Sequence, residues 1–226
     1  MIPNKIHMIW VGSKFKRPDA WIATWREKNP DWEFRLWDDD DVMNVPWQLG
    51  KHIKSLYRKG RFNGVSDLMR LEILLREGGI YADADSVCLR PLTEELTQPE
   101  FWGAYESEKF LPGIVQNAFL GSVPGHPLLQ SMVDKLAKRR NVIKKWTWRG
   151  RVRLPFHIAT GPHFITREIR QHGSNGVTIF PSWYFFPVSV TREHYDGPGQ
   201  PYADHFYSTA FGTYEVHGWR RPTMGD

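Results

Sequence analysis

Hydrophobic positions along the chain fall into short runs of alternating period and longer segments of helical period. Alternation with polar residues, bounded by glycine or proline, predicts strands at residues 6–11, 32–36, 80–85, 101–106, 115–120 and 177–180. Apolar spacing of three and four residues predicts helices that start near Pro18, Trp47, Ser66, Leu128 and Pro162. Strands that alternate with helices indicate an α/β fold.

The chain is organised around residues 66–91, SDLMRLEILLREGGIYADADSVCLRP. Ser66 is predicted to be the N-cap of a helix, and Asp67 behind it would favour the positive end of the helix dipole. Leucines at helical spacing indicate one buried face. Gly78 and Gly79 suit the left-handed turn that ends a helix. The strand over residues 80–85 follows.

Two carboxylates lie at the end of that strand. Asp83 and Asp85 are two residues apart, so in a strand they point to the same side. They repel each other unless a cation lies between them, and an all-oxygen ligand set suits Mg²⁺ or Mn²⁺. An isolated D-x-D is weak evidence, because solvated acid pairs are common in turns. On the preceding helix, Asp67 and Arg70 are three residues apart and share a face.

The complete string SDLMRLEILLREGGIYADAD resembles the signature of the DXD-containing glycosyltransferases of family 32, which include yeast-type mannosyltransferases. The clostridial glucosylating toxins share this core motif. The resemblance continues, in the family's order, through IHMIWVG, WREKNPDWEFRLWD, QNAFLGSVPGHPLL, TGP and YEVHGW. It implies one GT-A-like domain, Rossmann-like in its N-terminal half, with a central mixed sheet flanked by helices. The nucleotide-sugar part would cover about residues 1–125, and an acceptor-side part with a closing tail residues 126–226.

The carboxyl end of the first predicted strand is expected to contact the bound nucleotide, because ligands of open α/β sheets bind beyond the carboxyl ends of the strands. The resemblance implies that Trp10 stacks on the nucleobase, with Ile9 and Gly12 beside it; the alternative for Trp10 is a core aromatic residue. It also implies that Asn117 lies near the donor sugar and that Trp219, in the tail, binds the donor. An asparagine in an apolar strand is costly unless hydrogen-bonded.

The predicted metal ligands are Asp85 and, from the closing tail, His217. The resemblance implies that the tail returns to the metal, where His217 would ligate it or touch the diphosphate. Asp83 is predicted to join the metal site or to bond the ribose or a metal-bound water. The expected cofactor is Mn²⁺ or Mg²⁺.

Asp67 and Arg70 are predicted to hold the sugar hydroxyls, because a carboxylate and a guanidinium offer acceptors and donors in fixed geometry. Tyr81 would pack near the sugar or donate to phosphate. The resemblance implies retention of anomeric configuration. Asp67 and Glu106 are candidates for a base or nucleophile, although the sequence holds no evidence for either role.

The net charge of +5 and pI of about 9.3 favour a polyanionic partner. Residues 135–153 carry nine lysines and arginines and no acid, with Trp146 and Trp148 between them. The segment is either a solvated helix face that continues into a loop, or a surface for an anionic membrane or a nucleic acid. Eleven tryptophans fit an enzyme of carbohydrates or nucleotides, since aromatic rings stack on both.

The single cysteine, Cys88, excludes an internal disulfide framework and suits a reducing compartment; it is expected to be buried. With no leader and no long apolar run visible, the expected location is the cytoplasm, with peripheral contact at the inner face of the membrane as an option. The four acids at residues 38–41 are interpreted as a helix N-cap region, because consecutive acids point in different directions.

Together these features predict a metal-dependent glycosyltransferase that moves a hexose from a nucleotide-diphosphate sugar to an acceptor hydroxyl. UDP-sugar is the favoured donor and GDP-sugar the next. The acceptor is an envelope glycan or glycolipid, or a hydroxylated base in DNA. The alternatives are a sugar-nucleotide hydrolase or nucleotidyltransferase, and a binding module for sugar or nucleic acid without chemistry.

Overall fold

The computed structural model describes residues 1–12, 17–147, 150–190, 192, 194–195 and 197–208. The strands are β1 Lys5–Ile9, β2 Glu33–Trp37, β3 Gly79–Ala82, β4 Ser86–Cys88, β5 Phe101–Ser107, β6 Leu111–Ser122, β7 Lys144–Thr147, β8 Gly150–Arg153, β9 Val177–Phe180 and β10 Ala203–His205. The helices are α1 Asp19–Lys28, α2 Asp39–Asn44, α3 Gly50–Tyr57, α4 Phe62–Glu77, α5 Pro127–Ala137, α6 Phe156–Ala159 and α7 Pro162–His172.

Six strands form the central sheet in the order β2-β1-β3-β6-β5-β9. Strand β1 runs parallel to β2 and β3, β6 runs antiparallel to β3 and β5, and β9 runs parallel to β5. The strands β4 and β10 form a separate antiparallel pair, as do β7 and β8. This is the mixed α/β sheet that the sequence predicts.

Apolar side chains pack on both faces of the sheet. One cluster joins it to α3, α4, α5 and α7, and the other joins it to α1 and to aromatic residues between 180 and 207. Cys88 is buried in the second cluster, as expected. Within the part of the chain that the structure describes, no helix is both long enough and apolar enough to cross a membrane.

Helix α4 begins earlier than the sequence predicts. Ser66 is not its N-cap: the helix starts at Phe62 and its N-cap is Arg61, so Asp67 lies beyond the first turn. The extra turn is stabilised by packing, because Val65 is fully buried and the Phe62 ring meets Tyr57 edge-on at 5.7 Å. Burial therefore overrides the capping preference of a serine.

The DXD strand is shorter than predicted. β3 ends at Ala82, and Asp83 to Asp85 form a turn before β4. The turn is held by a 2.6 Å hydrogen bond that Ser86 Oγ donates to the carbonyl of Asp83. The two carboxylates converge because of this turn, and not because of the alternation of a strand.

The four-acid run is a helix N-terminus, as the sequence indicates. Asp38 caps α2 by accepting hydrogen bonds from the backbone N–H groups of Asp40 and Asp41. The Asp41 side chain accepts in return from the backbone N–H of Asp38 at 3.0 Å. This is a capping box made entirely of acids.

Candidate metal and nucleotide-sugar site

A cleft of about 730 Å³ opens where the parallel strands β1 and β3 end. Its floor is formed by residues 9–11, 81 and 83–85, and one wall is formed by α4. The opposite wall comes from Phe156, His157 and Pro162 of α6 and α7, and β6 contributes residues 116–118. The position agrees with the prediction that ligands bind at the carboxyl end of the first strand.

Three potential metal ligands meet in this cleft: Asp83, Asp85 and His205, whose ligand atoms all lie within 4.8 Å of one another. The Nε2 atom of His205 is 3.2 Å from Asp85 Oδ1 and 3.5 Å from Asp83 Oδ2. Asp85 and His205 are buried and Asp83 is partly exposed. Of these, the sequence identified the two aspartates.

Strand β10 carries His205 to the site. β10 pairs antiparallel with β4, and the register places His205 opposite Ser86, the residue after Asp85. Beyond the strand, the backbone N–H of Phe206 donates to the Asp85 carbonyl at 3.0 Å, and that of Ser208 donates to Asp85 Oδ2 at 2.8 Å. The DXD turn and the segment 205–208 are thus tied together by two backbone N–H groups, which donate to the carbonyl and to the carboxylate of Asp85.

The donor set fits a divalent cation. His205 Nε2 is buried and makes no hydrogen bond within the described residues, although it faces two carboxylates. Burial alone would lower the pKa of His205, but the charges of Asp85 and Asp83 outweigh it and raise the pKa to about 10. An arrangement that draws a positive charge to this point suits a divalent cation with carboxylate and imidazole ligands.

A second cluster, centred on Asp67, lies beside the metal ligands. Asp67 Oδ1 accepts a 2.8 Å hydrogen bond from Asn117 Nδ2, and Oδ2 accepts one of 2.8 Å from Thr160 Oγ1. Arg70 Nη2 lies 3.5 Å from Asp67 Oδ1. Burial raises the pKa of Asp67, and the charge of Arg70 opposes this shift.

Arg70 connects the two clusters. Its Nη1 donates to the Asn117 carbonyl at 2.5 Å and lies 3.2 Å from Asp83 Oδ1. The Tyr81 hydroxyl donates to the same Asp83 oxygen at 2.6 Å, and its ring lies under the guanidinium. Burial raises the pKa of Asp83, but Arg70 and His205 outweigh it, so the pKa lies below its usual value. Asp83 is therefore a carboxylate shared between the metal cluster and Arg70.

A bulge in β6 positions Asn117 next to Asp67. Gly103 of β5 pairs with Leu120 while the next residue, Ala104, pairs with Gln116, so three residues of β6 loop out. The carbonyl of Ala118, inside the bulge, accepts a hydrogen bond from Asp83 N at 2.9 Å. Bulges of this kind re-aim side chains, and here Asn117 is turned towards Asp67. Its place near the donor sugar stays a prediction.

At the predicted nucleobase end, Ile9 is buried in the core and also lines the cleft. Trp10 is partly buried and lines the cleft as well. Gly12 lies outside the lining, and its N–H donates to Asp39 Oδ1 at 2.7 Å. A Cβ on Gly12 would overlap the Phe62 ring, so a glycine is required by packing.

His217 and Trp219, predicted in the closing tail, lie outside the described residues. The sequence reasoning missed His205, Ser208 and Thr160. The motif YADHFYS around His205 carried a usable signal, because a histidine ends a short strand there between aromatic residues. Thr160 gave no signal beyond its place before a helix.

The sequence also matches known proteins. The family model described as glycosyltransferase sugar-binding region containing DXD motif matches residues 16–104. Inositol phosphoceramide mannosyltransferase 3 of Schizosaccharomyces pombe is 30% identical over 145 residues, which are 61% of this chain and 38% of that protein. An uncharacterized glycosyltransferase of Acanthamoeba polyphaga mimivirus is 26% identical over 203 residues, 85% of this chain and 76% of that protein. The chain thus spans less than half the length of the yeast relative.

Solved structures share the fold. The PaToxG glycosyltransferase superposes with a TM-score of 0.56 at 17% identity, covering 76% of this chain and 70% of the other. The UDP-bound glycosyltransferase domain from the YGT toxin gives 0.53 at 11% identity, covering 79% of each chain. The GT-A-like fold and the resemblance predicted from the sequence are both confirmed.

Proposed function

We propose that the chain is a DXD-containing glycosyltransferase, and that it transfers a hexose from a nucleotide-diphosphate sugar to an acceptor hydroxyl with the help of Mn²⁺ or Mg²⁺. The observation that carries the proposal is the convergence of Asp83, Asp85 and His205 beside the Asp67–Arg70 pair in one cleft. A divalent cation bound there would supply Lewis-acid stabilisation of the diphosphate leaving group.

Each of the chain's own residues has a defined part in this scheme. Asp85 and His205 would hold the cation, and Asp83 would connect it to Arg70. Arg70 would offer N–H donors to the donor's sugar or diphosphate oxygens, and Asp67 would accept from sugar hydroxyls. Trp10 would stack on the nucleobase at the end of β1.

We also propose retention of anomeric configuration, which the resemblance implies; the geometry argues against a covalent intermediate on that route. Both oxygens of Asp67 already accept hydrogen bonds, from Asn117 and Thr160, so this carboxylate is ill placed to attack the anomeric carbon. Glu106 is 4% exposed, and its Oε2 is bonded to Gln116. Since Asp67 is engaged and Glu106 does not line the cleft, the acceptor hydroxyl would attack on the face that the leaving group vacates.

We favour a UDP-sugar as the donor and a GDP-sugar as the next choice. The YGT toxin domain that shares the fold was solved with UDP bound, and curated relatives are named as mannosyltransferases, which supports a hexose. The acceptor we favour is a glycolipid, because these relatives are named for inositol phosphoceramide and because residues 135–153 are strongly basic. This would place the chain on the cytoplasmic face of a membrane, and a DNA acceptor is the alternative.

The proposal is tested by incubating the chain with UDP- and GDP-hexoses and Mn²⁺ or Mg²⁺, then measuring nucleotide release with and without a glycolipid acceptor. We expect one donor to be turned over and chelation to stop the reaction. Free sugar without transfer would identify a hydrolase, and exchanged phosphate a nucleotidyltransferase. Binding of sugar or nucleic acid without turnover would identify a binding module.

Asp85→Asn is expected to lower metal-dependent turnover at least about a hundredfold, since it removes a charged ligand. The fold should survive, because the asparagine oxygen can still accept from Ser208 N. Asp40→Asn makes the same change on the exposed side of α2 and serves as the control. Turnover like that of the wild type in Asp85→Asn would contradict the metal site.

A further inference from the structure

A chain of hydrogen bonds leads from the buried interior to the donor-sugar pair. Glu106 Oε2 accepts from Gln116 Nε2, and Gln116 Oε1 accepts from the backbone N–H of Asn117 at 2.8 Å. Asn117 then donates from Nδ2 to Asp67, while its carbonyl accepts from Arg70. Two successive contacts therefore lead from Glu106, on β5, to Asn117, and one further contact each connects Asn117 to Asp67 and to Arg70.

The orientation of Gln116 depends on Glu106. An amide side chain has a donor end and an acceptor end that can exchange by a flip, whereas a carboxylate only accepts. Glu106 therefore draws the NH₂ end of Gln116 towards itself and leaves the oxygen facing Asn117 N. In the flipped amide, the NH₂ group would face the N–H of Asn117, and two donors would meet.

The site of this contact is the β6 bulge. Asn117 lies at the start of the three looped-out residues, where β5 offers no backbone partner. Its N–H is instead held by the Gln116 side chain. The position of Asn117, and through it the position of Asp67 and Arg70, thus depends on a side-chain hydrogen bond in place of a ladder bond.

We infer that Glu106 is a positioning residue for transfer, which acts through Gln116 and Asn117 to hold Asp67 and Arg70 in register with the donor sugar. It does not line the cleft, so it touches neither donor nor acceptor. A role in stability alone would make Glu106→Leu less stable, because the buried Gln116 Nε2 would lose its acceptor, without a specific loss of turnover. The assigned role predicts a loss of turnover in the folded enzyme.

The first test is independent of any substrate and so does not depend on the proposed function. In Glu106→Leu, amide hydrogen exchange at Asn117 should rise about tenfold or more, because the bond from its N–H is no longer held in place. Leu120, which pairs with both β3 and β5 in the same strand, should stay protected. Glu106→Gln, which retains an acceptor oxygen for Gln116, should keep Asn117 protected.

The second test is kinetic and rests on the proposed function. We expect Glu106→Leu to lower kcat up to about a hundredfold, as small misplacements of reacting groups do, with the affinity for UDP and Mn²⁺ unchanged. Gln116→Glu should also lower kcat, because the new carboxylate would face that of Glu106 with no donor between them. Adding Glu106→Gln to it should restore turnover by restoring one donor and one acceptor.

The results separate the two claims. A wild type that turns over no nucleotide sugar would refute the proposed function, and the exchange experiment alone would then decide the role of Glu106. Unchanged exchange at Asn117 in Glu106→Leu would overturn the inference. An undiminished kcat in that variant, or a loss of UDP affinity in proportion to kcat, would overturn it as well.

Discussion

Single side chains in this cleft serve more than one partner. Asp83 accepts from Tyr81, lies beside Arg70 and faces His205, and Arg70 in turn reaches the carbonyl of Asn117. These shared contacts hold each polar group in one orientation. Substitutions of single ligands, each with a matched control, test which residues bind the metal.

His205→Gln is expected to raise the Mn²⁺ concentration for half-maximal turnover at least about tenfold, because the imidazole is one of three converging ligands. The measurement is a Mn²⁺ titration of donor turnover. His163→Gln, on the exposed side of α7, is the control. His217→Gln in the same titration tests the ligand predicted in the tail. An unchanged titration for His205→Gln would exclude the described cluster as the metal site.

At the scale of elements, the DXD turn depends on how α4 passes into β3. Gly78 and Gly79 have φ angles of +64° and +92°, in the region that favours glycine. A Cβ on Gly78 would lie 2.8 Å from Ser122 O and 2.8 Å from Pro124 N, both backbone atoms. The helix can therefore meet the sheet this closely only with glycine at the junction.

Gly78→Ala is expected to lower the free energy of unfolding by about 3 kcal/mol, from strained φ and the backbone contacts together. Gly125→Ala is the matched control, because Gly125 has φ of +72° and a Cβ there would have no described atom within 4 Å; it should cost only about 1 kcal/mol. Urea denaturation measures both. An equal loss of unfolding free energy in the two variants would show that the backbone contacts around Gly78 add nothing to the cost of the substitution.

At the scale of the whole molecule, the positive charge is unevenly distributed along the chain. Part of the basic stretch is structural: Lys135 pairs with Glu168 at 2.5 Å, and Arg139 donates to the carbonyl of Ala159. The rest continues into the β7–β8 pair, which directly precedes the α6 wall of the cleft. This order along the chain supports an acceptor-side role for the remaining lysines and arginines.

Replacing Lys144 and Lys145 by glutamine is expected to weaken binding to anionic vesicles by about 2 kcal/mol, at roughly 1 kcal/mol for each charge. Lys51→Gln with Lys59→Gln, on the surface around α3, changes the charge equally outside the stretch. Co-sedimentation across a salt series gives the affinities. Steep, salt-sensitive binding to duplex DNA without vesicle binding would instead favour the nucleic-acid acceptor.

The sequence by itself determined the elements and the acids. Apolar periodicity located the central-sheet strands and the main helices, because it reflects which face of each element is buried. The spacing of Asp67, Arg70, Asp83 and Asp85 predicted a polar cluster, and the structure brings these four residues together in one cleft. Local chemistry was enough for this, because all four residues lie within nineteen positions of one another.

Only the tertiary structure decided which distant residues complete the site. His205 lies 120 positions from Asp85, and it reaches the DXD turn because β10 pairs with β4. The hydrogen bond from Thr160 to Asp67, and the one from Gln116 to Glu106, are likewise formed between separate elements. The start of α4 at Phe62 was decided by packing against Tyr57 and not by a capping residue. Patterns along a chain report burial and local hydrogen bonding, whereas partners far apart in sequence are chosen by sheet pairing and packing.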